Sequence, residues 1–352
     1  MLAVLSEEQE MLRDMVGQLS TSIGLRTTGD LAGVDSAKAW RRLSEAGLLG
    51  LRIRDGDGVP AGSGVEHLLI SEALGGGLAP VPFLGCVLAA ELLALAGGPP
   101  EWLKDIAAGQ VRYALLLTPD LCELADIADV AGTVAWDADE AAYAVAVKRT
   151  PRSNRIVRVS ITPGFTALDC ADLTRRLLEP SNAIGADQYE EVGDSLSPEL
   201  QARWLALALT LVCGDVVGVM TSGLHDAVAY TKERVQYGVP VGSFQAVQHL
   251  CAECLVQTEA AAATARYAAW AVDALDPPEA LIAARTAKVY CSSAAREVTE
   301  TIMQIYGGIG HTWEHLAHVR TRRALMDRQV LGDESEHLLR IADWRLAAHQ
   351  PG

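Results

Sequence analysis

Residues 204–220, WLALALTLVCGDVVGVM, are apolar on every face a helix would present and carry a single charge, Asp215. A helix at the surface of a soluble protein keeps a polar face, so this one has to be covered all round. Its most apolar run, 204–214, falls short of the roughly 20 residues a bilayer span requires, so a buried helix and no membrane contact are expected. From Pro198 to the C-terminus the chain continues in long Ala-, Leu- and Val-rich stretches with few breakers. Such a four-helix-like region has more apolar surface than one chain can hide, and oligomerisation is the natural expectation.

Upstream, Ser6 is followed three residues later by Gln9, and Met11, Leu12, Met15, Val16 and Leu19 recur at helical spacing. That is a capping box opening an amphipathic helix. Trp40, Leu43, Leu48 and Leu49 continue the helical pattern, and turns with Gly and Pro separate helices near 68–74 and 87–95. From about residue 111 the period changes. The runs 113–117, 133–136, 143–147 and 156–161 are short, rich in Val, Ile and aromatic residues, and bounded by Asp, Gly, Pro and Asn, as strands are. The expected fold is α+β, mainly α: a helical N-terminal domain (1–110), a small, shortened β domain (111–195) and a C-terminal helical bundle (196–352).

The formal charge of −16 over 352 residues argues against nucleic acid as a partner, because no cationic excess exists to replace condensed counterions. Room remains for a local basic patch that takes a small phosphate. The N-terminus passes at once into Glu-rich helix without a basic, apolar and small-residue leader, so a cytoplasmic protein is expected. Seven scattered cysteines do not make a disulfide framework. Cys251 and Cys254 form a CxxC inside a helical pattern with no second pair, which reads as structural; no metal site is expected.

Two strings carry chemistry. In YTKERVQYGVPVGSFQAVQH, residues 230–249, the spacing predicts a helix end: Arg234 in the last turn, Gly238 stopping the helix, Pro240 stiffening the turn, and Ser243 capping the helix that Phe244 begins. An arginine at a rigid junction suits paired hydrogen bonds to a pyrophosphate; the plainer reading is a helix hairpin with a surface arginine. In QIYGGIGHTWEH, residues 304–315, the three glycines strip side chains from a helix–loop junction. They permit close approach of a backbone or cofactor, or simply a tight C-cap.

Together the strings resemble the acyl-CoA dehydrogenase family. The likeness extends to LSEEQEMLRDMV, WRRLSEAGLLGLRI, ISEALGGGLAPVPFLG and VRTRRALMDRQVLGDESEHLLR in the family's order and spacing. The resemblance implies an N-terminal helical domain, a middle β domain and a C-terminal four-helix domain. It also implies an FAD site shared between subunits, in which Arg234, Gln245, Gln304, Ile305, Tyr306, Gly307 and Gly308 face the ADP half of a flavin held largely by a neighbouring protomer. Such enzymes remove the α-proton of an acyl-CoA thioester with a carboxylate while the β-hydrogen leaves as hydride to the flavin. An electron-transfer flavoprotein or similar acceptor is implied as a further partner.

Two departures stand out. Where the family lines the isoalloxazine with Thr-Glu-Pro, Gly-Ser-Asp and Trp-Ile-Thr segments, this chain has the shortened YALLLTPDLCELADIADVAG, with Thr118-Pro119-Asp120 as a remnant. Where many members carry the catalytic Glu, it has Leu331-Gly332-Asp333-Glu334. A minority of the family places the base on the apolar helix, where the acid here is Asp215. Stripped of solvent, an unpaired Asp215 is expected to have a raised pKa, which makes it a candidate base; the alternative is a paired structural aspartate. The basic hairpin 148–155 is read as a solvated turn or a contact for CoA phosphates, and His311 and His315 as packing residues. Both departures resemble the short subunit of actinobacterial α2β2 acyl-CoA dehydrogenases that act on steroid side-chain thioesters. The rivals are a non-catalytic scaffold subunit, and a homomeric dehydrogenase or flavin oxidase.

Overall fold

A computed structural model of the chain describes residues 4–33, 35–54, 60–151 and 153–348. Five helices come first: α1 (Glu7–Ile23), α2 (Ser36–Glu45), α3 (Gly64–Gly76), α4 (Phe83–Leu95) and α5 (Pro100–Ala107). Helix α1 begins with the capping box read from sequence, the Gln9 N–H donating to Ser6 Oγ at 3.2 Å and the Ser6 N–H to Gln9 Oε1 at 3.1 Å. Helix α4 is buried along nearly its whole length, which a helix inside a layered domain must be.

Seven strands follow: β1 (Tyr113–Leu117), β2 (Val134–Trp136), β3 (Tyr143–Thr150), β4 (Ser153–Ser160), β5 (Phe165–Leu168), β6 (Leu177–Pro180) and β7 (Tyr189–Val192). They form one sheet of order β5-β6-β2-β1-β3-β4-β7. Only β1 and β3 run parallel among its pairs. Alternate residues of β1 face opposite ways: Tyr113, Leu115 and Leu117 join the main core with the helices, while Ala114 and Leu116 join a smaller cluster across the sheet. The edge strands β5 and β7, and β6 beside β5, lack a strand-like sequence pattern; exposed residues break the alternation of β5 and β7.

The rest is helical: α6 (Pro198–Glu233), α7 (Gln245–Ala274), α8 (Pro277–Tyr306), α9 (Ala317–Gln329) and α10 (Glu334–Ala348), with a two-stranded hairpin between α6 and α7. At 36 residues α6 is longer than its apolar run suggested, and by length and composition it is long and apolar enough to cross a membrane. Its most apolar window is 83% buried inside the protein, as a bundle's central helix is.

Helices α3 and α6 meet backbone to backbone. A Cβ on Gly75 would lie 2.3 Å from the Asp215 carbonyl oxygen, and one on Gly218 would lie 1.9 Å from that of Glu72. Glycine is obligatory at both places because no heavier residue fits without separating the helices. Gly218→Ala is therefore expected to lower the unfolding free energy by roughly 1–3 kcal/mol, read from the midpoint of urea denaturation; an unchanged midpoint would mean the seam is loose.

Candidate functional site

The two strings singled out in the sequence meet at one corner of the molecule. Helix α6 ends at Glu233, and Arg234 follows in extended conformation with its N–H donating to the Tyr230 carbonyl at 2.9 Å. This differs from the expected geometry, in which Arg234 closed the last turn and Gly238 stopped the helix. The chain instead forms a hairpin of β8 (Val235–Gln236) and β9 (Val239–Pro240). Tyr237 and Gly238 sit at its turn with φ of +52° and +82°, the left-handed pair a tight hairpin turn needs. The Arg234 carbonyl accepts from the Val241 N–H at 2.7 Å and closes the loop. Ser243 does not cap the next helix: its hydroxyl donates to the Pro240 carbonyl, Phe244 is the N-cap residue, and α7 starts at Gln245.

Helix α8 stops at Tyr306, where Gly307 takes φ +61° and opens a short 3-10 turn, Gly307–His311. A Cβ on Gly307 or Gly308 would meet nothing within 4 Å, so these glycines leave backbone bare toward the outside. The Tyr306 ring lies 5.0 Å from that of Tyr230 and 4.2 Å from that of His315. Since Tyr230 is one helical turn before Arg234, this stack draws the glycine turn to the arginine junction. Arg234, Gln245 and Gln304 are exposed, and none has a side-chain partner among the described residues. A guanidinium, two carboxamides and open backbone are a donor set suited to a diphosphate.

Two members of the expected set turn the other way. Ile305 packs partly buried against the main core, and Tyr306 is only 7% exposed, because the last turn of α8 points these side chains at α6. One residue missed from sequence lies on the outer face. Tyr237, 94% exposed at the hairpin tip, meets Phe244 edge to face at 6.2 Å. The Tyr-Gly pair between valines was its signal, but it had been read as a helix stop.

The interior is occupied by charge. Asp215 is not alone: Arg323 grips both its oxygens with bonds of 2.7 Å, and Arg175 stands 3.1 Å away. Arg175 also reaches Asp172 at 3.1 Å and Asp327 at 2.5 Å, and lies over the Trp136 ring at 5.2 Å. Arg323 further donates to the Ala79 carbonyl and the Thr174 hydroxyl. Asp215 therefore takes the paired alternative: burial would raise its pKa, but Arg323 and Arg175 outweigh burial and hold it below the ordinary aspartate value. With both oxygens bonded to the Arg323 guanidinium and 1% exposure, Asp215 is a buried, paired carboxylate closed off from solvent.

Four buried carboxyls share two guanidiniums here, and the excess raises the pKa of two of them. Burial and the neighbouring Asp215 push Asp327 well above its usual range, and burial pushes Asp137, which accepts from the Gly85 N–H, up to about 6. The Thr118-Pro119-Asp120 remnant closes on itself, the Thr118 hydroxyl donating to Asp120 at 2.6 Å.

The remaining candidates are accounted for locally. In the basic hairpin Lys148 and Arg155 pair with Glu191 and Arg149 with Glu123, so its charges are spent on the sheet; Arg152 lies outside the described residues. His315 accepts from the Ala317 N–H, and His311 is exposed. Cys251 and Cys254 lie on α7, all seven cysteines are free, and the described residues contain no cluster of three metal-ligating side chains.

Residues 203–346 match the family model for the acyl-CoA dehydrogenase C-terminal domain. The chain is 30% identical over 344 residues to the acyl-CoA dehydrogenase IpdE2 of Mycobacterium tuberculosis, spanning 95% of this chain and 96% of that protein. Its counterpart in Mycolicibacterium smegmatis is 29% identical over 346 residues, spanning 96% and 98%. Among solved structures, the Tcur3481-Tcur3483 steroid ACAD superposes with a TM-score of 0.81 at 24% identity, covering 97% of this chain and 98% of that one. The ChsE4-ChsE5 complex of Mycobacterium tuberculosis gives 0.79 at 23%, covering both chains completely.

Removing one partner from the charge network strands the others, so Arg323→Met is expected to cost roughly 3–5 kcal/mol of stability by chemical denaturation. Asp137 adds a pH signature. Its folded pKa, about 6, exceeds the ordinary aspartate value of 3.8, so between the two the native state holds a proton the unfolded state releases. Stability should fall as pH rises from about 4 to about 6 and level off above. Subtracting the melting curve of Asp137→Asn should reveal that decline; equal pH slopes in the two proteins would contradict it.

Proposed function

Since the chain belongs to the acyl-CoA dehydrogenase family, we propose that it is one subunit of an FAD-dependent enzyme carrying out α,β-dehydrogenation of an acyl-CoA thioester. In this reading it completes the site of a paralogous subunit, as an α2β2 assembly. The observation that carries it is the contrast between the open corner and the filled interior. The Arg234, Gln245 and Gln304 side chains are exposed and without partners among the described residues, with open space beside Gly307 and Gly308, while a buried Arg–Asp network occupies the space between sheet and bundle.

The fit to a flavin is therefore split. Arg234 and the two glutamine side chains suit the ADP diphosphate of a dinucleotide held mainly by the partner, with the bare Gly307–Gly308 backbone giving it room. Tyr237 extends the same outer face with an aromatic ring. The interior does not suit an isoalloxazine ring, because Trp136, Arg175 and Arg323 are close-packed there. When bound, FAD supplies the acceptor for the β-hydride. This chain's own residues neutralise and orient the diphosphate, and its apolar hairpin keeps water from that end of the site.

The catalytic carboxylate is assigned to the partner, and Asp215 to holding the bundle against the sheet. In the stretch Leu331-Gly332-Asp333-Glu334, where many family members carry the Glu, Leu331 is buried and Glu334 pairs with Arg328. Support for a partner also comes from the names of the solved neighbours, one a complex of ChsE4 with ChsE5 and one a steroid ACAD; steroid side-chain CoA esters are the substrate class to assay first.

Co-expression with the paralogous subunit tests the proposal. Arg234→Ala should lower the flavin absorbance per mole of intact complex by roughly tenfold, as expected for loss of a charge-assisted contact, and dehydrogenase activity with it. Full flavin content in that variant would favour a scaffold role. A yellow, active preparation of this chain alone would instead make it a homomeric dehydrogenase or flavin oxidase.

A further inference from the structure

Behind the glycine turn, on its inward side, lies a cavity of about 380 Å³ lined by Arg26 and Thr27 of the segment after α1, Gly223 and Asp226 of α6, Tyr306, and 314–317 with Arg320 at the start of α9. None of the unpartnered groups of the outer corner lines it. Its polar atoms are unevenly satisfied. Arg320 is committed, donating to Asp226 at 2.7 Å and to the Gly76 carbonyl at 2.9 Å. The Tyr306 hydroxyl, on a side chain 93% buried by its 7% exposure, has no hydrogen-bond partner among the described residues. The Arg26 guanidinium likewise has none. Burial and the nearby Asp226 carboxylate push the Tyr306 phenol up to about 12, so it keeps its proton at neutral pH.

His315 supplies a third donor. Its Nδ1 accepts from the Ala317 N–H at 3.1 Å, so the neutral ring carries its own proton on Nε2. Burial lowers its pKa, which keeps that neutral tautomer in place near pH 7. The first turn of the 13-residue α9, Leu316 and Ala317 included, forms part of the wall and adds the positive end of the helix dipole. Arg320 and Asp226 cancel each other, and Glu314 and Arg26 both stand exposed at the rim. Between them the wall carries the unpartnered Tyr306 hydroxyl and His315.

We propose that this cavity is an oxyanion-binding site, with Arg26, the Tyr306 hydroxyl and His315 Nε2–H as donors to a phosphoryl group. It is distinct from the outer corner: Tyr306 belongs to this inner pocket and not to the dinucleotide face. The proposal does not rest on the flavin reading, since Arg234, Gln245, Gln304 and Gly308 take no part in it.

Inorganic phosphate titrated calorimetrically into the full-length chain, with its subunit where one co-purifies, tests the site. Saturable binding is expected, weakened roughly tenfold by Tyr306→Phe, which removes one hydroxyl but keeps the ring stack, and by Arg26→Gln. Arg234→Ala should leave phosphate binding unchanged while it lowers flavin content, so failure of either proposal is seen separately. Competition by ADP would identify a nucleotide phosphate as the source, and its absence would identify the free anion. No saturable phosphate binding, or affinity untouched in both Tyr306→Phe and Arg26→Gln, would overturn the assignment; should Tyr306→Phe fail to fold, Arg26→Gln decides.

Discussion

The grip of Arg323 and Arg175 on Asp215 is the interaction that holds the three parts of the chain in one arrangement. Asp215 belongs to α6, Arg323 and Asp327 to α9, and Arg175, Asp172 and Asp137 to the loops around β2 and β6. Each guanidinium would be intolerable alone in this setting, and each carboxylate likewise. The network thus specifies where the sheet sits against the bundle more than it adds net stability, and it explains how a charge survives in the most apolar helix of the protein.

The same pairing decides what the chain can do. With its central acid bonded on both oxygens and the α3–α6 seam closed by glycines, little chemistry is left for the interior. At the periphery the hairpin and the glycine turn meet through Tyr230 and Tyr306, whose rings lie 5.0 Å apart, and two segments distant in sequence come to a common corner. The exposed Tyr237 and Phe244 beside it are the kind of aromatic surface that a second subunit covers.

Much of this was legible in the sequence, for reasons that can be named. The capping box at Ser6 and Gln9 is local chemistry, and the structure reproduces it bond for bond. The all-round apolarity of 204–220 announced a buried helix, and the change of period near residue 111 announced the sheet. Strands β5 and β7 were hidden because edge strands owe their pairing to neighbours and not to their own pattern. The hairpin after Arg234 was taken for a helix stop because Gly238 fits both; Tyr237 at positive φ decides the matter, and a non-glycine residue gives no warning of that. Nor does any short-range pattern say that Asp215 would find Arg323, 108 residues later. The sequence therefore left open whether Asp215 is paired.

The interlocked buried charges have a consequence for how such a chain can change. Asp215, Arg175 or Arg323 altered singly leaves an unmatched neighbour in a medium that penalises it, so each such first step costs stability. A mutational library sampling one position at a time would record only losses across this centre. Rebuilding it as an open chamber would take several concerted replacements, which makes reliance on a companion chain, once established, hard to reverse.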